Sequence, residues 1–169
     1  MIRRVSRVLT WAAAALIGVA LLVTATGYAL PQSHVVSAEA RFPAPPDRVF
    51  EVITDVARYP EWRTDIAHVD IVTTAPLTWR EYDTRGDPIT YEVVESRPSE
   101  RHRVRIADAG LPFGGTWTYE LQADGPGTRL LITEHGDVYN PIFRFMSRFV
   151  FGHTASIDAF LAALARRAG

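Results

Sequence analysis

The chain has 169 residues, 47% hydrophobic and 22% charged, a composition that suits a folded domain and not a disordered one. It contains no cysteine, which excludes a disulfide scaffold, thiolate metal sites and a cysteine nucleophile together. All 18 basic residues are arginine, and residues 31–169 carry 15 of them against 19 acids, so the chain lacks the concentrated positive charge that nucleic acid requires.

Residues 8–30 contain no charge. As a helix they would span roughly 35 Å, enough for a bilayer core of about 30 Å. Arg3, Arg4 and Arg7 precede this stretch and no basic residue follows until Arg41. That asymmetry predicts a cytosolic tail at 1–7, a single-pass transmembrane anchor at 8–30, and a domain at 31–169 on the extracytoplasmic side. Trp11 and Tyr28 fall near the two ends, where amphipathic rings favour the interface. The alternative is a cleaved signal peptide and a secreted domain, since Gly27-Tyr28-Ala29 has the small-x-small pattern of a cleavage site. Signal cores usually run about 7–15 residues, so the length favours the anchor. A buried helix of a soluble core would show one apolar stripe, whereas this stretch is apolar on every face.

After a short linker at 31–33, residues 34–42 alternate, with Val36, Ala38, Ala40 and Phe42 on one face, as in a half-buried strand. Pro43-Ala44-Pro45-Pro46 ends it, and prolines suit the first turn of the helix that follows. That helix, over 47–56, aligns Val49, Phe50, Ile53 and Val56 on one stripe. Tyr59-Pro60-Glu61-Trp62 opens a second short helix or turn. From Ile66 the period is two, predicting strands at 66–73, 77–84, 89–96, 102–107, 115–123 and 128–137. The breaks between them carry Pro, Gly, Asp and Ser, and their shortness implies hairpins and an antiparallel meander. From Asn140-Pro141 onward, apolar residues recur at three- and four-residue steps. They predict one helix of about 25 residues, with Gly152 as the place for a kink. The sheet strands each have one apolar face, and this last helix is the element large enough to cover it.

In this order the pieces Ala44-Pro45-Pro46-Asp47-Arg48-Val49-Phe50, Tyr59-Pro60-Glu61-Trp62, Tyr91-Glu92-Val93-Val94, Gly115-Thr116-Trp117, Gly127-Thr128-Arg129-Leu130 and the helix from Asn140-Pro141 resemble the START-like (SRPBCC) superfamily, the polyketide cyclase/dehydrase and lipid-transport group. The resemblance covers most of 33–169. It implies an α+β helix-grip fold, a curved antiparallel sheet of about seven strands around a long C-terminal helix, with a cavity for a hydrophobic ligand between them. It does not name the ligand or guarantee catalysis.

The more apolar face of each strand gives the inward set: Val69 and Ile71; Ile89, Tyr91 and Val93; His102, Val104 and Ile106; Trp117, Tyr119 and Leu121; Leu130, Ile132 and Glu134. Arg101, Arg103, Arg105, Thr116, Thr118 and Glu120 take the opposite face. The strand at 77–84 stays undecided, because Trp79 and Tyr82 fall on opposite sides. Tyr91, His102, Tyr119 and Glu134 are polar groups on an apolar face, the pattern of a small-molecule site. Glu134 among aromatic rings is a candidate acid and His102 a second catalytic candidate. The plainer expectation is a solvated or arginine-paired Glu134 at the rim and a His102 in water at a strand end. Trp62, Tyr91, Trp117, Tyr119, Glu134, Phe145 and Phe149 are the candidate ligand-binding residues, although aromatics on a core face also have a plain packing role.

No G-x-S-x-G, H-E-x-x-H or phosphate-binding glycine motif is present, and no cofactor is indicated. His135 and Asp137 are too few to hold a metal, and His34, His68 and His153 form no ligand spacing. Three readings follow. The first is a membrane-tethered domain binding a lipid, isoprenoid or polyketide-like molecule. The second is a cyclase or dehydratase using acid and base residues in the same cavity. The third is an interaction module whose cavity is filled.

Overall fold

The computed structural model describes residues 2–152 and 154–168, and side chains outside 2–9 and 151. His153 lies outside the described residues. Helix α1 (Ile2–Ala29) is followed by strand β1 (Ser33–Phe42), helix α2 (Pro46–Thr54) and a 3-10 turn (Val56–Glu61). Six strands come next: β2 (Ile66–Thr74), β3 (Leu77–Asp83), β4 (Pro88–Arg97), β5 (Arg101–Ile106), β6 (Phe113–Asp124) and β7 (Gly127–Val138). The chain closes with α3 (Pro141–Met146), a π turn (Ser147–Phe151) and α4 (Ala155–Ala168).

The strands form one antiparallel sheet in the order β1-β7-β6-β5-β4-β3-β2. Five hairpins build the meander, and β1 crosses to its far edge to pair with β7 from Ser33↔Asp137 to Phe42↔Thr128. α2 begins where Pro46 presets the helical φ at the first position, with Pro45 extended before it. Its stripe buries Val49 and Ile53 completely. α4 lays Ile157, Phe160, Leu161 and Leu164 against the sheet, and Leu130 and Ile132 of β7 complete the core. This is the helix-grip arrangement: an α+β fold with the sheet curved around a C-terminal helix.

The inner face is now legible by register. One row runs Val36, Glu134, Trp117, Val104, Val93, and the next runs Ala38, Ile132, Tyr119, His102, Ser96. On β3, Trp79 and Glu81 point inward and are buried, while Tyr82 faces outward against His68. On the opposite face, Thr118 is buried between its cross-strand neighbours Arg103 and Thr133, not open to solvent.

The C-terminal helix departs from the expected single rod. It breaks at Gly152, whose φ of +79° and ψ of 154° lie where side chains other than glycine are strained. The reason lies on either side of the break. Residues 155–168 have one apolar stripe, but Ile142, Phe143, Phe145, Met146, Phe149 and Val150 surround their segment and cannot all face one sheet. α3, capped by Asn140 Oδ1 accepting from the Ile142 and Phe143 amides, instead packs on α1. α1 itself carries exposed apolar side chains on all sides, Trp11 and Leu16 among them. Its residues Thr10–Ala29 are long and apolar enough for either a membrane span or a signal sequence.

Candidate functional site

The inner face of the sheet divides into two ends. At the α4 end the space is filled. Phe160 packs on Trp62 (5.5 Å between ring centres), Tyr119 (5.5 Å), Trp117 (5.9 Å) and Tyr59 (6.4 Å). The Tyr59 hydroxyl donates to the Ile53 carbonyl at 2.6 Å, which satisfies it in a dry setting. The Arg63 guanidinium lies over the Tyr59 and Phe160 rings at 5.1 and 5.7 Å, a cation–π arrangement.

Arg63 also anchors a buried ion pair. Its Nη1 donates to Glu81 Oε2 at 3.0 Å, and Trp79 Nε1 donates to Glu81 Oε1 at 2.9 Å. Burial pushes the Glu81 carboxyl above its usual range, with Arg63 and the Trp79 indole pulling the other way. Burial also works against the charge on Arg63, but Glu81 and Asp65 outweigh it and hold the proton on. Tyr91 stacks on Trp79 at 5.4 Å beside this pair.

At the other end the face is only part-covered, because α3 packs on α1 more than on the sheet. His34, Val36, Tyr91, Val93, Trp117 and Glu134 all point inward yet remain half-buried. Glu134 Oε1 lies 3.6 Å from His34 Nε2, and the two side chains are 19% and 18% exposed. Glu134 Oε2 is buried and accepts no hydrogen bond among the described residues. Burial raises the Glu134 carboxyl above its ordinary range, and the Trp117 indole opposes that rise. Burial lowers the His34 imidazole, against the pull of Asp137. A proton therefore favours the carboxyl over the imidazole more than it would in water. The His34 ring rests over Gly136, where a side chain would collide with it and with Glu134. A cavity of about 370 Å³ adjoins this end, with His34 and Val36 in its wall and Leu30, Val138, Arg144 and Arg148 around it.

Residues 33–169 match the family described as polyketide cyclase/dehydrase and lipid transport. The chain belongs to that family. Among curated proteins, none matches it significantly in sequence. Solved structures share the fold at low identity. A Thermus thermophilus protein is 22% identical over 80% of this chain and 97% of its own, with a TM-score of 0.66. A START superfamily protein from Mycobacterium smegmatis is 17% identical over 80% and 97%, with a TM-score of 0.62. The Zhui aromatase/cyclase of Streptomyces is 18% identical over 80% and 93%, with a TM-score of 0.63. The START-like resemblance read from the sequence is thus shown. The family includes both cyclases and lipid carriers, so membership leaves binding and catalysis to be distinguished at the site.

The candidate residues fall into three groups. Tyr91, Trp117 and Glu134 converge at the part-open end. Trp62 and Tyr119 belong to the packed aromatic cluster, with Tyr119 beneath His102 at 6.0 Å. Phe145 and Phe149 touch each other at 4.9 Å on the segment beside α1, and Phe149 is largely exposed. Two expectations change. Glu134 is largely buried, 19% exposed beside His34, and pairs with no arginine among the described residues. His102 is not in water: it is 3% exposed, its Nδ1 lies 3.2 Å from Ser96 Oγ, and the Phe50 ring meets it edge-on. Desolvation lowers its pKa to about 4. His34 was missed, although it shares the parity of Val36 and Ala38 and so lies on the inward face. Arg63 and Glu81 were missed because their pairing joins a turn to a strand that the alternation left undecided.

Proposed function

We propose that this chain is a membrane-tethered binding domain for a hydrophobic small molecule of lipid, isoprenoid or polyketide type. The ligand would lie on the part-open end of the inner face, against Tyr91, Trp117 and Glu134. The observation that carries this reading is Glu134, a carboxyl with one unpartnered buried oxygen, set among aromatic rings where α4 does not reach. An apolar body against the rings with one hydroxyl or carbonyl at Glu134 satisfies both requirements, and a few convergent polar groups in an apolar pocket are what fix a ligand's orientation. A tether at the bilayer keeps such a ligand close by raising its effective concentration.

The approach of His34 to Glu134 supports a second reading, a dehydratase or cyclase. In that reading the carboxyl, inclined to hold its proton, gives it to the departing hydroxyl, which leaves as water, while the neutral imidazole takes a proton from the adjacent carbon as the double bond forms. His102, enclosed in the packed end, has no part in this pairing.

The test is mass spectrometry of an organic extract of the full chain purified in detergent. Binding predicts a stoichiometric apolar compound that is lost in Trp117→Ala. A clean extract, with no uptake of fluorescent fatty acid, isoprenoid or aromatic polyketide probes, would overturn it.

A further inference from the structure

The segment that fails to cover the sheet has its own surface chemistry. Ile142, Phe143, Phe149 and Val150 are 49–59% exposed, on eleven residues (141–151) that also carry Arg144 and Arg148. Exposed apolar side chains at this density mark an interaction surface.

The position of this surface is fixed by the end of α1. Arg144 spends its whole guanidinium on carbonyls: Nε donates to Val138 O (2.7 Å), Nη2 to Tyr139 O (2.9 Å), and Nη1 to Gly27 O and Leu30 O (3.4 and 3.3 Å). The last two belong to the final turn of α1 and its exit, where helix carbonyls lack partners of their own. Gly27 is buried, and a Cβ there would run into the backbone of Pro141. α3 is therefore clamped to the apolar helix at backbone contact. Tyr28, beside the clamp, is exposed.

We propose that the exposed apolar face of α3 and the π turn is seated in the head-group region of the bilayer that α1 crosses, as a second membrane contact beyond the tether. This deepens the tethered reading and rests on it. The occupant is a lipid surface and not a protein, because α3 is clamped to the end of α1, whose Thr10–Ala29 stretch is long and apolar enough to cross a bilayer, and this sets the exposed face where that helix leaves the membrane. Arg148, exposed and in no ion pair among the described residues, adds the cation that anionic head groups attract. Seated so, the 370 Å³ cavity between residues 30–32, β1 and the π turn opens at head-group level, with His34 as the wall it shares with the Glu134 end.

The absence of cysteine makes the test direct. Full-length Phe149→Cys and Val150→Cys carry a single nitroxide label each in phosphatidylglycerol/phosphatidylcholine vesicles, with Val94→Cys, exposed on β4, as the reference. The expected result is a several-fold higher ratio of oxygen to nickel-chelate collisions at 149 and 150 than at 94, reduced by Arg148→Glu. Equal ratios at all three positions overturn the proposal. So does a label hidden from both reagents with spin–spin broadening, which would mean a second copy of the chain covers the face. The tethered reading fails separately, if the mature protein from cells has the mass of a chain lacking residues 1–29.

Discussion

The two ends of the inner face belong to one sheet, yet they differ in how their polar groups are satisfied. At the α4 end three buried polar groups have partners: Tyr59 on Ile53, Glu81 on Arg63 and Trp79, His102 on Ser96. At the α1 end, Glu134 Oε2 is buried without a hydrogen bond among the described residues, while the His34 imidazole lies 3.6 Å from Oε1 and the Trp117 indole is close to the carboxyl. An unsatisfied buried group costs about 1–3 kcal/mol. Among the described residues Arg101 Nε, Arg103 Nε and Thr116 Oγ1 also lack a hydrogen bond, but they lie on the opposite face, so Glu134 Oε2 is the inner-face atom of this kind. Phe160 and its ring partners fill the packed end, and the part-open end is where the ligand of the proposed function would lie.

That contrast breaks most visibly at Phe160. Phe160→Ala removes the ring on which Tyr59, Trp62, Trp117 and Tyr119 converge and should cost about 3–5 kcal/mol. Urea unfolding of the full chain in detergent checks it; a loss below 1 kcal/mol would mean that the packed end is not packed. Arg63→Met should cost a similar amount, about 3–5 kcal/mol, because it strands the Glu81 charge. Adding Glu81→Met should recover most of the loss, and a double variant no better than the single one would show that the pair does not act as a pair.

His102 gives the next largest effect. In the unfolded chain its imidazole takes a proton near the ordinary value of 6.5, but in the fold only near about 4. Between these values the unfolded state holds more protons, so this contribution is full above pH 6.5 and declines as pH falls toward 4. The gap corresponds to about 3 kcal/mol at the acid end. His102→Gln should remove that slope, read as the difference between the two stability curves; parallel curves would place His102 in water after all.

The strands, their hairpins and the inward parity of β4 to β7 were legible because period two and turn residues are local signals. Glu81 was not. An acid beside an inward tryptophan looks like a reason to turn the strand over, and only Arg63, arriving from the turn before β2, reverses that conclusion. His102 misled for a related reason: a histidine at a strand start suggests water until Phe50 of α2 covers it. The kink at Gly152 was readable. The turning of 141–151 away from the sheet was not, since phenylalanines at helical spacing look the same whether they meet a sheet or another helix. Glu134 was found by parity alone, and the same argument extended two residues earlier along β1 reaches His34.

Glu134→Gln should change stability least and function most. The amide keeps the shape of the carboxyl, and burial already disfavours the charged form, so the substitution removes a group the fold does not rely on. Stability within about 1 kcal/mol of the parent, unchanged or slightly higher, is expected near neutral pH. The functional consequence separates the two readings. If the domain only binds, the glutamine variant still takes up ligand, because an amide can also donate to and accept from a hydroxyl or carbonyl. If it catalyses, uptake persists while turnover falls by about two to four orders of magnitude, as expected for loss of a general acid. His34→Gln tests the partner in the same assay. Loss of turnover in both variants with ligand retained would establish the pair as acid and base, and retention in both would leave Glu134 as an anchor for the ligand's polar end.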